Sequence, residues 1–218
     1  MFQGERVASL SDYLAEVERY LHDSTNSYWS ESDLTAYINK AIKQRDRDTG
    51  MNREITTFTL TTGTNVYQVA SVNANAFDVF SIILNYSNVR QLLSQLPYTL
   101  LTSQVQGINL YNQVSLAYAK YGAGAIYFAP APNQAYVTEW DCLVASPDLV
   151  NATDADPLPA PWTDPVPFLA CSFAKIQIQQ YDEAERFKGL YRDRLDEVMA
   201  NSRSSSMPYP YYGFSGWR

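Results

Sequence analysis

The sequence predicts an α+β protein. Helices from both ends of the chain form a bundle, an antiparallel β domain of sandwich or barrel type is inserted between them, and an extended arm closes the chain. Three observations predict this. Charge divides the 218 residues: 15 charged residues stand in 1–50 and 13 in 171–218, but only 11 in the 120 residues between. The two charged ends space apolar residues as helices do, whereas the middle holds short Thr-, Asn-, Gln- and Tyr-rich runs that suit strands. Beyond Asn201 the periodicity is lost and two prolines appear. The expected domains are therefore 1–50 with 163–201 (bundle), 51–162 (β-rich, with a Pro/Asp-rich connection) and 202–218 (arm).

The elements follow in order. Leu10, Leu14, Val17 and Leu21 recur on one helical face. The segment HDSTNSYWS interrupts it, and Ser30-Glu31-Ser32-Asp33 opens a second helix. Ser30 is placed to cap, Asp33 stands at N3, and Trp29 and Leu34 form a hydrophobic staple. Leu34, Tyr37, Ile38, Ala41 and Ile42 continue the face, so Trp29, Leu34, Tyr37 and Ile38 are the expected packing residues of a helical hairpin. Lys43, Arg45 and Arg47 suit the negative end of the helix dipole, and Gly50 ends the helix. Ile55–Leu60 and Val66–Val69 read as a hairpin around Thr61–Asn65. Phe77–Tyr86 is a buried strand. Val114–Tyr121 turns through Gly122-Ala123-Gly124 into Ala125–Ala129, and Pro130–Asn133 turns into Ala135–Ala145. In the ambiguous stretch 92–110, Leu92, Leu93, Leu96 and Leu100 allow one short helix. A Pro/Asp/Ala-rich loop or linker covers 148–164. Asp164-Pro165 then starts a helix with Phe168, Leu169, Phe173 and Ile176, and a second helix carries Ala184, Phe187, Leu190, Tyr191, Leu195 and Val198.

Composition excludes several functions. An apolar share of 46% supports a packed core, so global disorder is excluded. A net charge of −7 without a basic block argues against gripping nucleic acid, since phosphate neutralisation needs clustered cations. The N-terminus MFQGERVASL lacks the apolar core of a secretory signal, and no run is long and apolar enough for a membrane span. Cys142 and Cys171 read as small buried hydrophobes and His22 as a solvated residue at a helix end. No nucleotide, zinc or thiol-redox motif is present, and no cofactor, metal or catalytic residue is expected. Asp148, Asp154, Asp156 and Asp164 lack the spacing of a calcium loop and read as surface. The charged runs 45–48 and 192–197 read as solvated helix faces. Glu139 and Asp141, at i and i+2, share one face of a strand, which makes a hydrolase conceivable but weakly supported.

The chain is rich in tyrosine, 17 in all, and the arm concentrates aromatics: Tyr209, Tyr211, Tyr212, Phe214 and Trp217, closed by Arg218. These residue types supply most of the energy at protein interfaces. Pro208 and Pro210 forbid a regular helix there, so the arm is expected to dock on another subunit.

The collinear order of these features resembles the head-to-tail adaptor (connector, head completion) proteins of tailed bacteriophages, including the tail tubular protein A type. The matching segments are YWSESDLTAYINKAIKQRDRDTG, FTLTTGTNVYQV, AIYFAPAPNQAYVTEWDCLVASPDL and DPVPFLACSFAKIQIQQYDEAERFKGLYRDRLDEV. They span about residues 10–200. The resemblance implies a homo-oligomeric ring, usually of twelve copies, assembled in the host cytoplasm and placed at the head–tail interface of the virion. Such a ring docks on the portal protein, extends the channel for DNA ejection, and offers a surface to a downstream tail or nozzle protein, with tail fibres a further candidate. The arm lies outside the matching segments and is read from its own residues as portal-docking, in line with the C-terminal extensions of that family, which often reach the portal; the hairpin turns at Thr62, Gly63, Asn65, Pro130, Pro132 and Asn133 are expected to face the tail. Duplex DNA passes through without specific binding, and no membrane is involved. The competing reading is a carbohydrate-binding β module of a phage tail or receptor-binding protein, suggested by the Tyr and Trp of the middle part.

Overall fold

The computed structural model describes residues 7–23, 27–87, 89–105 and 114–206. In chain order the elements are β1 (Val7–Ser9), α1 (Leu10–Leu21), α2 (Glu31–Thr49), β2 (Arg53–Thr59), β3 (Val66–Gln68), α3 (Val69–Val72), β4 (Ala76–Tyr86), β5 (Val89–Leu92), β6 (Ser94–Gln95) and α4 (Tyr98–Leu100), the last continued by a π-helical turn, Leu101–Val105. Then come β7 (Ala117–Tyr121), β8 (Ala125–Ala129), β9 (Val137–Val144), β10 (Ala155–Pro159), α5 (Val166–Gln177) and α6 (Tyr181–Ser206). The chain divides into two compact units, Met1–Arg45 with Asp148–Arg218, and Asp46–Pro147.

The first unit buries the apolar stripes of its helices in one core. Leu10, Tyr13, Leu14 and Val17 of α1 join Leu34, Ile38, Ala41 and Ile42 of α2, Leu169 and Ala174 of α5, and Tyr191 and Leu195 of α6. Each Leu, Ile or Val side chain among them contributes about 1.5–3 kcal/mol when fully buried. The ends of α1 are set locally. Ser9 and Asp12 form a capping box, with the Asp12 amide donating to Ser9 Oγ at 3.3 Å and the Ser9 amide donating to Asp12 Oδ2 at 3.0 Å. His22 stops the helix in the left-handed conformation at φ 58°. Its amide and that of Asp23 donate back to the carbonyls of Arg19 and Glu18, the Schellman pattern that glycine usually fills. Ser30 caps α2, accepting the Asp33 amide at 3.2 Å, and its carbonyl accepts the Leu34 amide.

Three expectations change in this unit. The stretch 148–164 is no free linker: β10 pairs antiparallel with β1, and Asn39 of α2 both donates to the Leu149 carbonyl and accepts its amide. The last helix runs to Ser206, past the point where the arm was expected to begin. Pro165 takes the N-cap position of α5, and Asp164 makes no side-chain cap there.

The second unit contains two four-stranded sheets among the described residues, ordered β2-β9-β4-β5 and β3-β8-β7-β6. They share one core. Val79, Ile82, Leu84 and Trp140 come from the first sheet, and Tyr67, Tyr118, Ile126 and Phe128 from the second. The Trp140 ring lies 5.7 Å from Phe128 and 6.0 Å from Phe58, centroid to centroid, in the tilted and edge-on arrangements that aromatic pairs favour. Leu101, on the π-helical turn, packs with Ala117, Ala119 and Ala129 of the second sheet. The short helix expected from Leu92 is therefore displaced to 98–105, and Leu92 itself belongs to β5.

The expected hairpin over 55–69 is not one. β2 pairs with β9 and β3 with β8, in different sheets, so the turn 61–65 carries the chain from one sheet to the other. The turn 130–133 does the same between β8 and β9. A Gly-containing loop between two strand-like runs is compatible with either connection. What decides it here is that Phe58 and Tyr67 both turn toward the shared core and meet edge to face at 5.5 Å. The true hairpins are β7–β8 through Gly122-Ala123-Gly124, as expected, and β4–β5.

Candidate assembly surfaces

Among the described residues, no group of three or more His, Cys, Asp or Glu could hold a metal ion. Cys142 and Cys171 are both free and buried, and burial pushes their thiols up to about 11 and about 12, which leaves them protonated and unreactive at neutral pH. Glu139 and Asp141 do stand on one face of β9, but as partners of arginines. Arg90 bonds Glu139, and Arg53 Nη1 lies 3.4 Å from Asp141 Oδ2. Asn85 and then Arg90 hold the Glu139 carboxyl below the usual carboxylate range, the opposite of what a general acid requires.

The polar chemistry the sequence reading missed lies inside the first unit. Arg45 and Asp156 are both fully buried and form a bidentate pair, Nη1 to Oδ2 at 2.6 Å and Nη2 to Oδ1 at 3.0 Å. The Tyr13 hydroxyl donates to Asp156 Oδ2 at 2.7 Å, and the Leu158 amide donates to Oδ1 at 2.9 Å. Burial, and after it the Asp156 charge, raises the Tyr13 pKa far above its ordinary value. In the second unit, buried Asp46 accepts the Ser146 amide at 2.8 Å. The run at 45–48 is thus no solvated face at its first two positions, and Asp156 is no surface residue. A signal was available: Arg45 continues the stripe of Leu34, Ile38 and Ile42 at helical spacing. The run at 192–197, in contrast, is exposed apart from Leu195, with Arg194 and Glu197 paired at 2.7 Å.

Trp29, Leu34 and Ile38 lie together in the first unit's core, with Tyr37 packed against it. Trp29 enters from the α1–α2 connection, where the Asp23 carboxylate accepts the amides of Ser27, Tyr28 and Trp29 and the Ser27 hydroxyl. The Lys175 ammonium lies 5.7 Å from the Trp29 ring centroid.

The two sheet-crossing turns lie side by side at one end of the second unit. The Gly63 amide donates to the Pro132 carbonyl at 2.8 Å, and the Phe128 amide donates to the Asn65 carbonyl at 2.8 Å. Gly63 sits at φ +77°, which a side chain rarely tolerates. Thr62, Gly63 and Asn133 are exposed, whereas Pro130 and Pro132 are buried and present nothing to a partner. The arm residues Tyr209, Tyr211, Tyr212, Phe214, Trp217 and Arg218 lie outside the described residues.

The chain matches the model of the SU10 adaptor protein family over residues 8–211. It belongs to that family of phage adaptors. No curated protein matches it. The match covers both units and so agrees in kind with the resemblance read from the sequence, at the coarser level of a phage adaptor, a structural component of the virion. Among the adaptor's described residues no helix is long and apolar enough to cross a membrane. In the second unit, exposed Tyr121 packs with the half-buried Tyr98 and Tyr127, with Tyr127 edge-on to the other two at 69° and 90°.

Proposed function

We propose that this adaptor forms a ring, of twelve copies as the resemblance implies, that docks on the portal protein, continues the DNA channel and offers its far side to the next tail component. The observation that carries the reading is the family match across both units. Net charge supports it. Twelve copies at −7 each carry −84, and a net-acidic, polar wall lets duplex DNA slide because it offers phosphates no clustered cations to bind. The aromatic arm is the portal-docking element, and the exposed turn residues Thr62, Gly63 and Asn133 belong to the tail-facing end.

The test removes 207–218, which leaves α6 complete, and measures capture on purified portal rings. The truncated adaptor should lose about tenfold or more in affinity, as expected when several aromatic anchors are deleted together. Unchanged capture sinks the arm assignment. Electron microscopy of the full-length protein with and without portal tests the ring itself.

A further inference from the structure

The second unit leaves the backbone of both margins of its first sheet unpaired among the described residues, although Asn73, after α3, donates to the Glu54 and Thr56 side chains of β2. Among the described residues β2 pairs only with β9, and β5 only with β4. No other segment of the described residues sends a backbone hydrogen bond to either strand. All four residues of β5 are exposed. The three most exposed aliphatic side chains of this unit among the described residues stand on these margins: Ile55 is 68% exposed, Leu92 65% and Val89 63%. Neither REITTFT nor VRQL contains lysine or proline; of the charges that can blunt a free edge, Arg53 and Arg90 are turned onto carboxylates of their own sheet.

We propose that the two margins are the two halves of one contact between copies of this chain: β5 of one copy adds, antiparallel, to β2 of the next. The proposal rests on the ring reading above and names the surface that would build the ring. Strand direction supports it. β2, β9, β4 and β5 are antiparallel in succession, so β5 runs opposite to β2. A neighbour related by rotation in a ring presents its own β2 in nearly the same sense, and therefore antiparallel to this β5. That is the slightly more stable pairing, and it is heterologous, as a ring requires.

Side-chain faces select the register. Ile55 and Leu92 both lie on the outer face of the sheet, with Asp141 and with Ile83 and Glu139 respectively. Val89 and Gln91 share the core-side face with Leu84, as Thr56 and Phe58 share it with Trp140. Setting Leu92 opposite the next copy's Ile55 also sets Val89 opposite Phe58, so apolar residues meet on both faces. Within one sheet Leu92 is level with Thr57, through Ile83 and Glu139. This register therefore shifts the neighbour by two residues, a stagger of the kind that curved, closing sheets use.

Charge permits the contact. Each copy is acidic, yet most charged groups flanking the margins are already paired within a copy, Arg53 with Asp141 and Arg90 with Glu139, while Glu54 accepts from Asn73 Nδ2. Two chains of −7 thus meet over a strip whose charged groups sum to only −1 per copy.

The test is a cross-link. Facing residues on antiparallel strands have Cα atoms about 4.5–5.5 Å apart, within the roughly 4.4–6.8 Å of a disulfide. The variant carrying both Ile55→Cys and Leu92→Cys should give, under mild oxidation, a ladder of covalent multimers that thiol reductant collapses. Each single variant should give dimers at most. The variant pairing Thr59→Cys with Leu92→Cys, four residues out of register, should give no ladder. Rings of the double variant seen by microscopy without a ladder, or an equal ladder from the mis-registered pair, overturn the contact. As a second readout, Ile55→Lys with Leu92→Lys should leave circular dichroism unchanged and abolish rings; rings that persist overturn it. A wild-type protein that stays monomeric both alone and on portal overturns the ring reading and takes this contact with it. Wild-type rings, with double-cysteine rings that give no ladder, overturn the contact alone.

Discussion

Arg45 and Asp46 are adjacent in sequence and fully buried, and each answers a different demand: Arg45 neutralises Asp156, and Asp46 satisfies the Ser146 amide. A buried ion pair contributes little net stability beyond what well-packed apolar residues would give, but breaking it is costly because one charge stays behind. Arg45→Met leaves the buried Asp156 carboxylate with hydrogen bonds from the Tyr13 hydroxyl and the Leu158 amide but no cation. It should cost about 3–5 kcal/mol in urea unfolding. Tyr13→Phe removes one hydrogen bond from an otherwise satisfied group and should cost about 0.5–1.5 kcal/mol. Replacing both charges, with Arg45→Met and Asp156→Leu, should recover most of the first loss. If Arg45→Met proves no worse than Tyr13→Phe, the carboxylate is not the strained partner and the account fails.

Among the elements, those with a strong local signal were legible and those decided by long-range pairing were not. The stripe of α1, the Ser30 cap of α2 and the glycine turn between β7 and β8 each act within a few residues, so sequence alone locates them. The turn at 61–65 was misread because a flexible loop between two strands says nothing about which sheet the second strand joins; the pairings of β2 with β9 and β3 with β8 decide that. Asp156 looked like a loop residue because its partner lies 111 positions away. Of the surfaces, the turns were legible as turns, while the open margins of β2 and β5 needed the strand order. The α1–α2 connection joins both kinds of information. It was seen as a break, but its clamp, Asp23, was not. Hydrogen bonds, first from the Ser27 hydroxyl and the Tyr28 amide, hold the Asp23 carboxyl down to about 2, below its ordinary 3.8. A group with a depressed folded pKa stabilises above its unfolded pKa and loses that stabilisation as pH falls through the folded one. Asp23→Asn should therefore lower Tm at neutral pH, and the wild-type and variant curves should converge between about pH 4 and pH 2. Curves that stay parallel over that window would show that Asp23 is not the clamp.

At the scale of the whole molecule, two tendencies of an acidic chain compete. Copies of −7 repel one another, which opposes a ring, and they repel phosphate, which suits a conduit. The charge distribution favours the second without forbidding the first. The unit Asp46–Pro147 carries 4 basic and 6 acidic residues in 102, so it adds only −2, while the unit that holds the chain's ends carries 12 and 17, or −5. Copies can touch through the charge-poor unit while the acidic one keeps the assembly soluble and DNA unbound. Duplex binding reads this out. Each phosphate contact would contribute about −0.9 to the slope of log affinity against log salt. The assembled protein should leave a short duplex unretarded at about 0.15 M salt, and lowering the salt to about 0.05 M should reveal no binding. Retention with a slope steeper than about −2.7, equivalent to three phosphates, would expose a basic track along the wall. A wall of that kind would grip passing DNA, and the conduit reading would have to be abandoned.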